Sequence, residues 1–161
     1  MERFAFRKLL GFDGRVAAFR ALGATIGDEV WIGARTTMRC AWNVTIGEGT
    51  RLEAVRIDAW GPVRIGRDVL INVDVDLYTA EHDVNSPVFE GVLGPLEIGD
   101  HVWIPNHVRV LPGVVIGRCA VIGTGSVVTK DVPEYAVAAG NPAHVVAERA
   151  RTEYTYRPSS F

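Results

Sequence analysis

His82 is the residue whose type and neighbours most readily suggest chemistry. It lies in Thr79-Ala80-Glu81-His82-Asp83-Val84-Asn85-Ser86-Pro87-Val88-Phe89-Glu90-Gly91, a polar segment rich in turn formers. An imidazole with an ordinary pKa of about 6.5 is largely neutral yet still basic at neutral pH, which suits a general base. A base that accepts a hydroxyl proton in the transition state typically contributes about 10²- to 10⁴-fold. Asp83 or Glu81, on either side, offers a carboxylate to fix its tautomer in the manner of a triad. The two cysteines, Cys40 and Cys119, stand in no nucleophile motif, and neither does any serine, so nothing in the sequence points to a covalent enzyme intermediate.

The elements that carry His82 follow from a six-residue period. From Ile98 an aliphatic residue recurs at Ile104, Val110, Ile116, Ile122 and Val128. Four positions after each stands a small or β-branched residue: Val102, Val108, Val114, Ala120, Ser126 and Val132. The same phase returns at Ile65, Ile71 and Leu77, at Ile26, Ile32 and Met38, and more briefly at Ile46 and Leu52. Six suits neither a helix, with period 3.6, nor an isolated strand, with period 2. It does suit one short strand plus one corner of a three-sided solenoid, whose coils pair in parallel above and below. Glycine often follows the aliphatic residue, as in Ile98-Gly99 and Ile116-Gly117, where it eases a crowded corner.

Departures from that register mark loops, and loops on a rigid scaffold tend to carry function. Leu77 and Ile98 are 21 apart where 18 keeps the register, so three extra residues bulge out around His82. Two other slips hold Asp58, Trp60 and Asn43, and an aromatic face beside carboxylate and amide groups makes these the candidate substrate contacts. The expected organisation is a cap over residues 1–23, a solenoid over 24–133 with an inserted loop at 79–97, and a C-terminal extension over 134–161. In the cap, Phe4, Phe6, Leu9, Leu10, Val16, Phe19 and Leu22 supply apolar cover for the open first coil, partly as a helix. A short helix is expected in the extension, up to Arg151.

Composition narrows the partners. A chain of 161 residues with 48% apolar and 22% charged residues reads as one soluble globular domain. A net charge of -2 gives no reason to expect nucleic acid. Two cysteines without metal-finger spacing fit a reducing cytoplasm. The opening residues lack an apolar core and a cleavage site, so no secretory signal is expected, and no apolar run is long enough to insert in a membrane.

The stretches Ile98-Gly99-Asp100-His101-Val102-Trp103-Ile104, Leu111-Pro112-Gly113-Val114-Val115-Ile116-Gly117, Val121-Ile122-Gly123-Thr124-Gly125-Ser126 and Ala139-Gly140-Asn141-Pro142-Ala143 resemble the hexapeptide-repeat acetyltransferases. The Thr79-Ala80-Glu81-His82-Asp83 loop resembles the maltose and galactoside O-acetyltransferases. With Trp42-Asn43 and Gly61-Pro62-Val63-Arg64-Ile65-Gly66, the whole is most similar to colanic-acid-biosynthesis acetyltransferases. The likeness runs from about residue 24 to about 147. It implies an all-β, left-handed parallel β-helix, a homotrimer with sites between subunits, and acetyl transfer from acetyl-CoA to a sugar hydroxyl without a metal. It also implies that His82 is the catalytic base, and that Trp103, Asn106, Thr124, Thr129 and Lys130 contact acetyl-CoA. Pro105 departs from the family pattern, where glycine is common after Trp-Ile. Rival readings are transfer to an amine, a non-catalytic scaffold, and a γ-class carbonic anhydrase with zinc on His82, His101 and His107. Against the last, His101 and His107 are six apart and fall on different sides of one coil.

Overall fold

The computed structural model describes residues 12–158. Short strands follow one another around a three-sided column. The first face stacks Thr25–Ile26, Val44–Ile46, Val63–Ile65, Leu96–Ile98 and Val115–Ile116 in parallel. Arg51–Asp58 and Leu70–Tyr78 run unbroken around the next corner and so join the other two faces into one sheet. Trp31–Ile32, Trp103–Ile104, Val121–Ile122 and Ala136–Gly140 complete the second face. Thr37–Arg39, Arg109–Val110 and Val127–Val128 complete the third.

The aliphatic residues of the hexapeptide phase fill the column. Ile104, Val110, Ile116, Ile122 and Val128 are fully buried, as are Val102, Val108 and Ala120 between them. Burying each such side chain contributes about 1.5–3 kcal/mol. The corners turn through left-handed backbone at Asp68, His101 and Cys119 on the first edge and at Asp74, His107 and Gly125 on the second. The glycine after the aliphatic residue relieves the backbone crowding expected of it. Gly99 sits where a Cβ would lie 2.6 Å from the backbone nitrogen of Arg118, so it allows one coil to approach the next.

Register partners measure the insertion. Ile98 and Ile116 pair 18 residues apart, whereas Ile65 and Ile98, like Leu77 and Val110, pair 33 apart. The excursion between Leu77 and Ile98 therefore adds 15 residues, not three. The distance from Leu77 to the next face should be compared with 6, the step from Val110 to Ile116, rather than with a full coil. Its arms, Ala80–His82 and Gly91–Leu93, form an antiparallel ribbon standing off the third edge.

Both ends of the column are closed. The helix Phe12–Ala21 lays Val16 and Phe19 on the first coil. Arg15 donates to the Ile32 carbonyl, and Arg20 to those of Ile26 and Gly27, at 2.7–3.1 Å. The expected apolar residues Phe4, Phe6, Leu9 and Leu10 lie outside the described residues. At the other end the expected C-terminal helix is a strand. Ala143–Glu148 pairs antiparallel with Ala136–Gly140 across a turn at Asn141-Pro142. The β-branched pair Val145-Val146 suits a strand, and the free edge of Ala136–Gly140 offers a ladder that a helix would leave open.

Candidate active site

His82 ends the first arm of the ribbon and is exposed. Its Nδ1 lies 2.8 Å from the carbonyl oxygen of Phe89. A carbonyl can only accept, so the proton is on Nδ1 and the Nε2 lone pair is free. The Phe89 ring stacks on the imidazole, with centroids 4.2 Å apart and planes 9° from parallel. Phe89 itself has left-handed backbone, φ 52°, which turns its carbonyl back toward the histidine. The expected carboxylate partner is therefore replaced by a backbone group. Asp83 is committed elsewhere: its Oδ1 accepts the Asn85 amide at 2.8 Å and shapes the turn of the loop.

His82 shares a cleft of about 440 Å³ with Asp58, Trp60, Glu81, Val92 and Leu93. Asp58 and Trp60 are thus brought to the histidine, although they come from a coil earlier. Thr79 ties the two segments together. Its buried hydroxyl donates to the Asp58 carbonyl at 2.9 Å and accepts the Gly61 amide at 2.9 Å. Asp58 Oδ1 has no hydrogen bond, and its nearest cation is Arg39, whose Nε is 3.4 Å away. The same guanidinium stands 5.5 Å from the Trp60 ring centroid. Asn43 does not line the cleft. Its amide donates to the carbonyls of Ala59 and Trp60, at 2.9 and 3.1 Å, and so holds the loop that presents Trp60.

The five residues expected at the donor divide between the second face with its far edge and the third edge. Trp103 is exposed on the second face, its indole fixed by a 2.8 Å bond to Asn72 Oδ1. Asn106 and Thr124 stand exposed at the second edge, where Asn106 Oδ1 accepts the Val73 amide at 3.2 Å. Thr129 and Lys130 are exposed on the third edge, two coils along from the segment that leads into His82. At about 4.8 Å per coil that is about 10 Å along the column. His101 and His107 sit at successive corners, 3.9 Å from Asp68 and 3.8 Å from Asp74.

Phe89, Thr79 and Asn72 went unnoticed in the sequence. Phe89 acts partly through its carbonyl, which leaves no trace in residue type, whereas a conspicuous aromatic in a polar loop was a signal that could have been followed.

Comparison with known proteins agrees with this geometry. Residues 95–130 match the family described as bacterial transferase hexapeptide (six repeats). The chain is 36% identical to the galactoside O-acetyltransferase of Escherichia coli (strain K12) over 141 residues, 84% of this chain and 69% of that protein. It is 34% identical over 151 residues, 93% of this chain and 83% of its relative, to WcaF of the same organism, which is named as a colanic acid biosynthesis acetyltransferase. Among solved structures, a hexapeptide-repeat acetyltransferase of Vibrio cholerae complexed with acetyl-coenzyme A superposes with a TM-score of 0.84 at 28% identity, covering 89% of this chain and 81% of that one. The chain belongs to the hexapeptide-repeat acetyltransferases, whose column is the left-handed β-helix. Acetyltransferases of this family use acetyl-CoA as co-substrate.

Proposed function

We propose that the protein is an O-acetyltransferase that moves the acetyl group of acetyl-CoA to a hydroxyl of a sugar or exopolysaccharide precursor, with His82 as general base. The observation that carries this reading is the Nδ1 bond to Phe89, which leaves Nε2 free in the cleft it shares with Asp58 and Trp60. Trp60 is half-exposed and offers a ring face to a sugar, with the Asp58 carboxylate beside it to accept from a hydroxyl. Nε2 takes the proton of the acceptor hydroxyl as its oxygen attacks the thioester carbonyl, and the imidazolium returns that proton to the sulfur of coenzyme A as the C–S bond breaks. Trp103, Asn106, Thr124, Thr129 and Lys130 hold the donor, Lys130 as a point charge for a phosphate; it makes no ion pair among the described residues. Trp103, Asn106 and Thr124 lie on one side of the column and Thr129 and Lys130 on another, so a donor lying between two copies of the column meets one side of each. This supports a homotrimer with sites between subunits. No helix among the described residues is long and apolar enough to cross a membrane. The free Cys40 and Cys119 are compatible with a reducing, cytoplasmic setting.

The test is thiol release from acetyl-CoA against parallel panels of sugars and amines, with wild type and His82→Ala. The variant should lose about 10²- to 10⁴-fold in kcat. Undiminished turnover in the variant removes His82 from the chemistry, and turnover on amines alone makes the protein an N-acetyltransferase.

A further inference from the structure

The third face of the column carries a second cavity that the acyl transfer itself does not use. It measures about 380 Å³ and is lined by Arg35, Arg56, Arg109, Asp74, Asp76 and His107, with smaller residues between them. Asp76, buried at 8% exposure, holds two of the guanidiniums: Arg56 at 2.9 Å and Arg109 at 3.5 Å. Hydrogen bonding to Asp76, then its charge, then the Tyr78 hydroxyl raise the Arg56 pKa above its ordinary value. Arg35, exposed at the second edge, has no hydrogen bond or ion pair among the described residues. Its three arginines outnumber its two aspartates by one positive charge.

The cavity does not stand alone. Thr37 and Arg56 also line an adjoining cavity of about 400 Å³ with Arg39 and Asp58, and Asp58 in turn lines the His82 cleft. Arg56 and Asp58 are two residues apart on one strand, both facing outward, so they stand about 7 Å apart. Three neighbouring cavities therefore follow one another across the third face from Arg35 to His82, each sharing a lining residue with the next. A neutral sugar needs no guanidinium cluster at one end of that path. A planar, two-oxygen anion does, since the guanidinium fork matches a carboxylate or phosphate and the paired arginines retain unused N–H donors.

We infer that the acceptor is an acidic saccharide whose carboxylate or phosphate is held by Arg35, Arg56 and Arg109 while a hydroxyl further along the same molecule is presented to His82. This rests on the acyl-transfer reading and adds the class of its acceptor. Asp76 spaces the two inner guanidiniums, and Arg35 supplies the charge that the fold leaves unmatched.

The experiment compares kcat/KM for matched oligosaccharide acceptors long enough to reach from Arg35 to His82, one neutral, one ending in a uronic acid and one ending in a sugar phosphate, with wild type and Arg35→Gln. Wild type should favour at least one charged acceptor over the neutral one by about tenfold, the effect of one charge-assisted hydrogen bond. R35Q should reduce that ratio through KM, and Arg35→Lys should restore part of it. The arm that responds, carboxylate or phosphate, identifies the anion. Equal kcat/KM for charged and neutral acceptors in wild type, or an unaltered ratio in R35Q, overturns the inference. So does a change of oligomeric state in R35Q, which would place Arg35 in a subunit contact. If no sugar is acetylated at all, titration of methyl glucuronide and of inorganic phosphate separates the two readings. Binding that R35Q weakens keeps the anion site while the transferase reading falls, and no binding to wild type sinks the site as well.

Discussion

The imidazole of His82 is oriented by a backbone carbonyl, and that has a measurable consequence. A triad carboxylate both sets the tautomer and stabilises the imidazolium that forms, and exchanging such an aspartate for asparagine costs about 10⁴-fold in kcat. Here the Phe89 carbonyl performs the first task, and Asp83 accepts only the Asn85 amide. Asp83→Asn keeps an acceptor oxygen for that amide, so steady-state kinetics should show kcat within about threefold of wild type. A loss approaching the triad value would mean that the carboxylate contacts the imidazole during turnover. Phe89→Ala keeps the carbonyl but removes the stacked ring. An aromatic pair contributes about 0.5–1.5 kcal/mol, so kcat should fall by about 2- to 12-fold with little change in KM for acetyl-CoA. Unchanged kcat would show that the carbonyl alone fixes the imidazole.

At the scale of strands and corners, tolerance to substitution is set by how closely the coils stack. A methyl group at Gly99 would meet the Arg118 nitrogen at 2.6 Å, backbone against backbone, where neither side can swing away. Gly99→Ala should cost about 1–3 kcal/mol in denaturant unfolding, whereas Gly113→Ala, with open space around its Cβ, should cost mainly the strain of its left-handed φ of 81°. Equal stability of Gly99→Ala and wild type would refute the close approach. The same spacing explains what could be read in advance. From Ile98 to Val128 every coil is 18 residues without interruption, so burial follows the aliphatic phase directly. Before it, partners lie 20 apart at Ile26 and Ile46 and 19 apart at Ile46 and Ile65, and the phase blurs. Asp58 and Trp60 were legible as candidates, and they share the His82 cleft because a slip in register occurs at the edge from which the His82 ribbon also departs. Asn43 lies outside that cleft and holds its loop, and an amide beside a sugar and an amide holding a loop look alike in sequence. The final strand was read as a helix because Ala143-His144-Val145-Val146-Ala147-Glu148 has no strict alternation, and its partner is supplied only by the folded column.

Across the whole molecule, a solenoid has a weakness that the tail offsets. Each coil touches only its neighbours, so one end can open without the other. The chain after the last strand runs back along the first edge and links coils far apart. Arg149 reaches the carbonyls of His101 and Cys119 at 3.3 and 3.4 Å, and the Tyr156 hydroxyl donates to the His101 carbonyl at 3.1 Å. Further along, Arg157 pairs with Glu29, with Glu48 at 3.0 Å and with Asp68 at 4.0 Å, one carboxylate from each of three successive coils. Glu29, first by hydrogen bond and then by charge, and Glu48 hold the Arg157 guanidinium above its ordinary pKa. These groups are exposed, so salt screens them: the Debye length falls from about 10 Å at 0.1 M to about 3 Å at 1 M. Arg157→Ala should therefore lower Tm at low ionic strength, and the difference should close at high salt. A chain ended after Arg151 loses the tyrosine packing as well, so its lower Tm should persist at high salt, and hydrogen exchange should quicken first in the coils holding Glu29 and Glu48. If exchange instead rises evenly along the column, the tail adds stability without coupling the ends. If R157A melts like wild type at low salt, its three carboxylates contribute nothing to the fold.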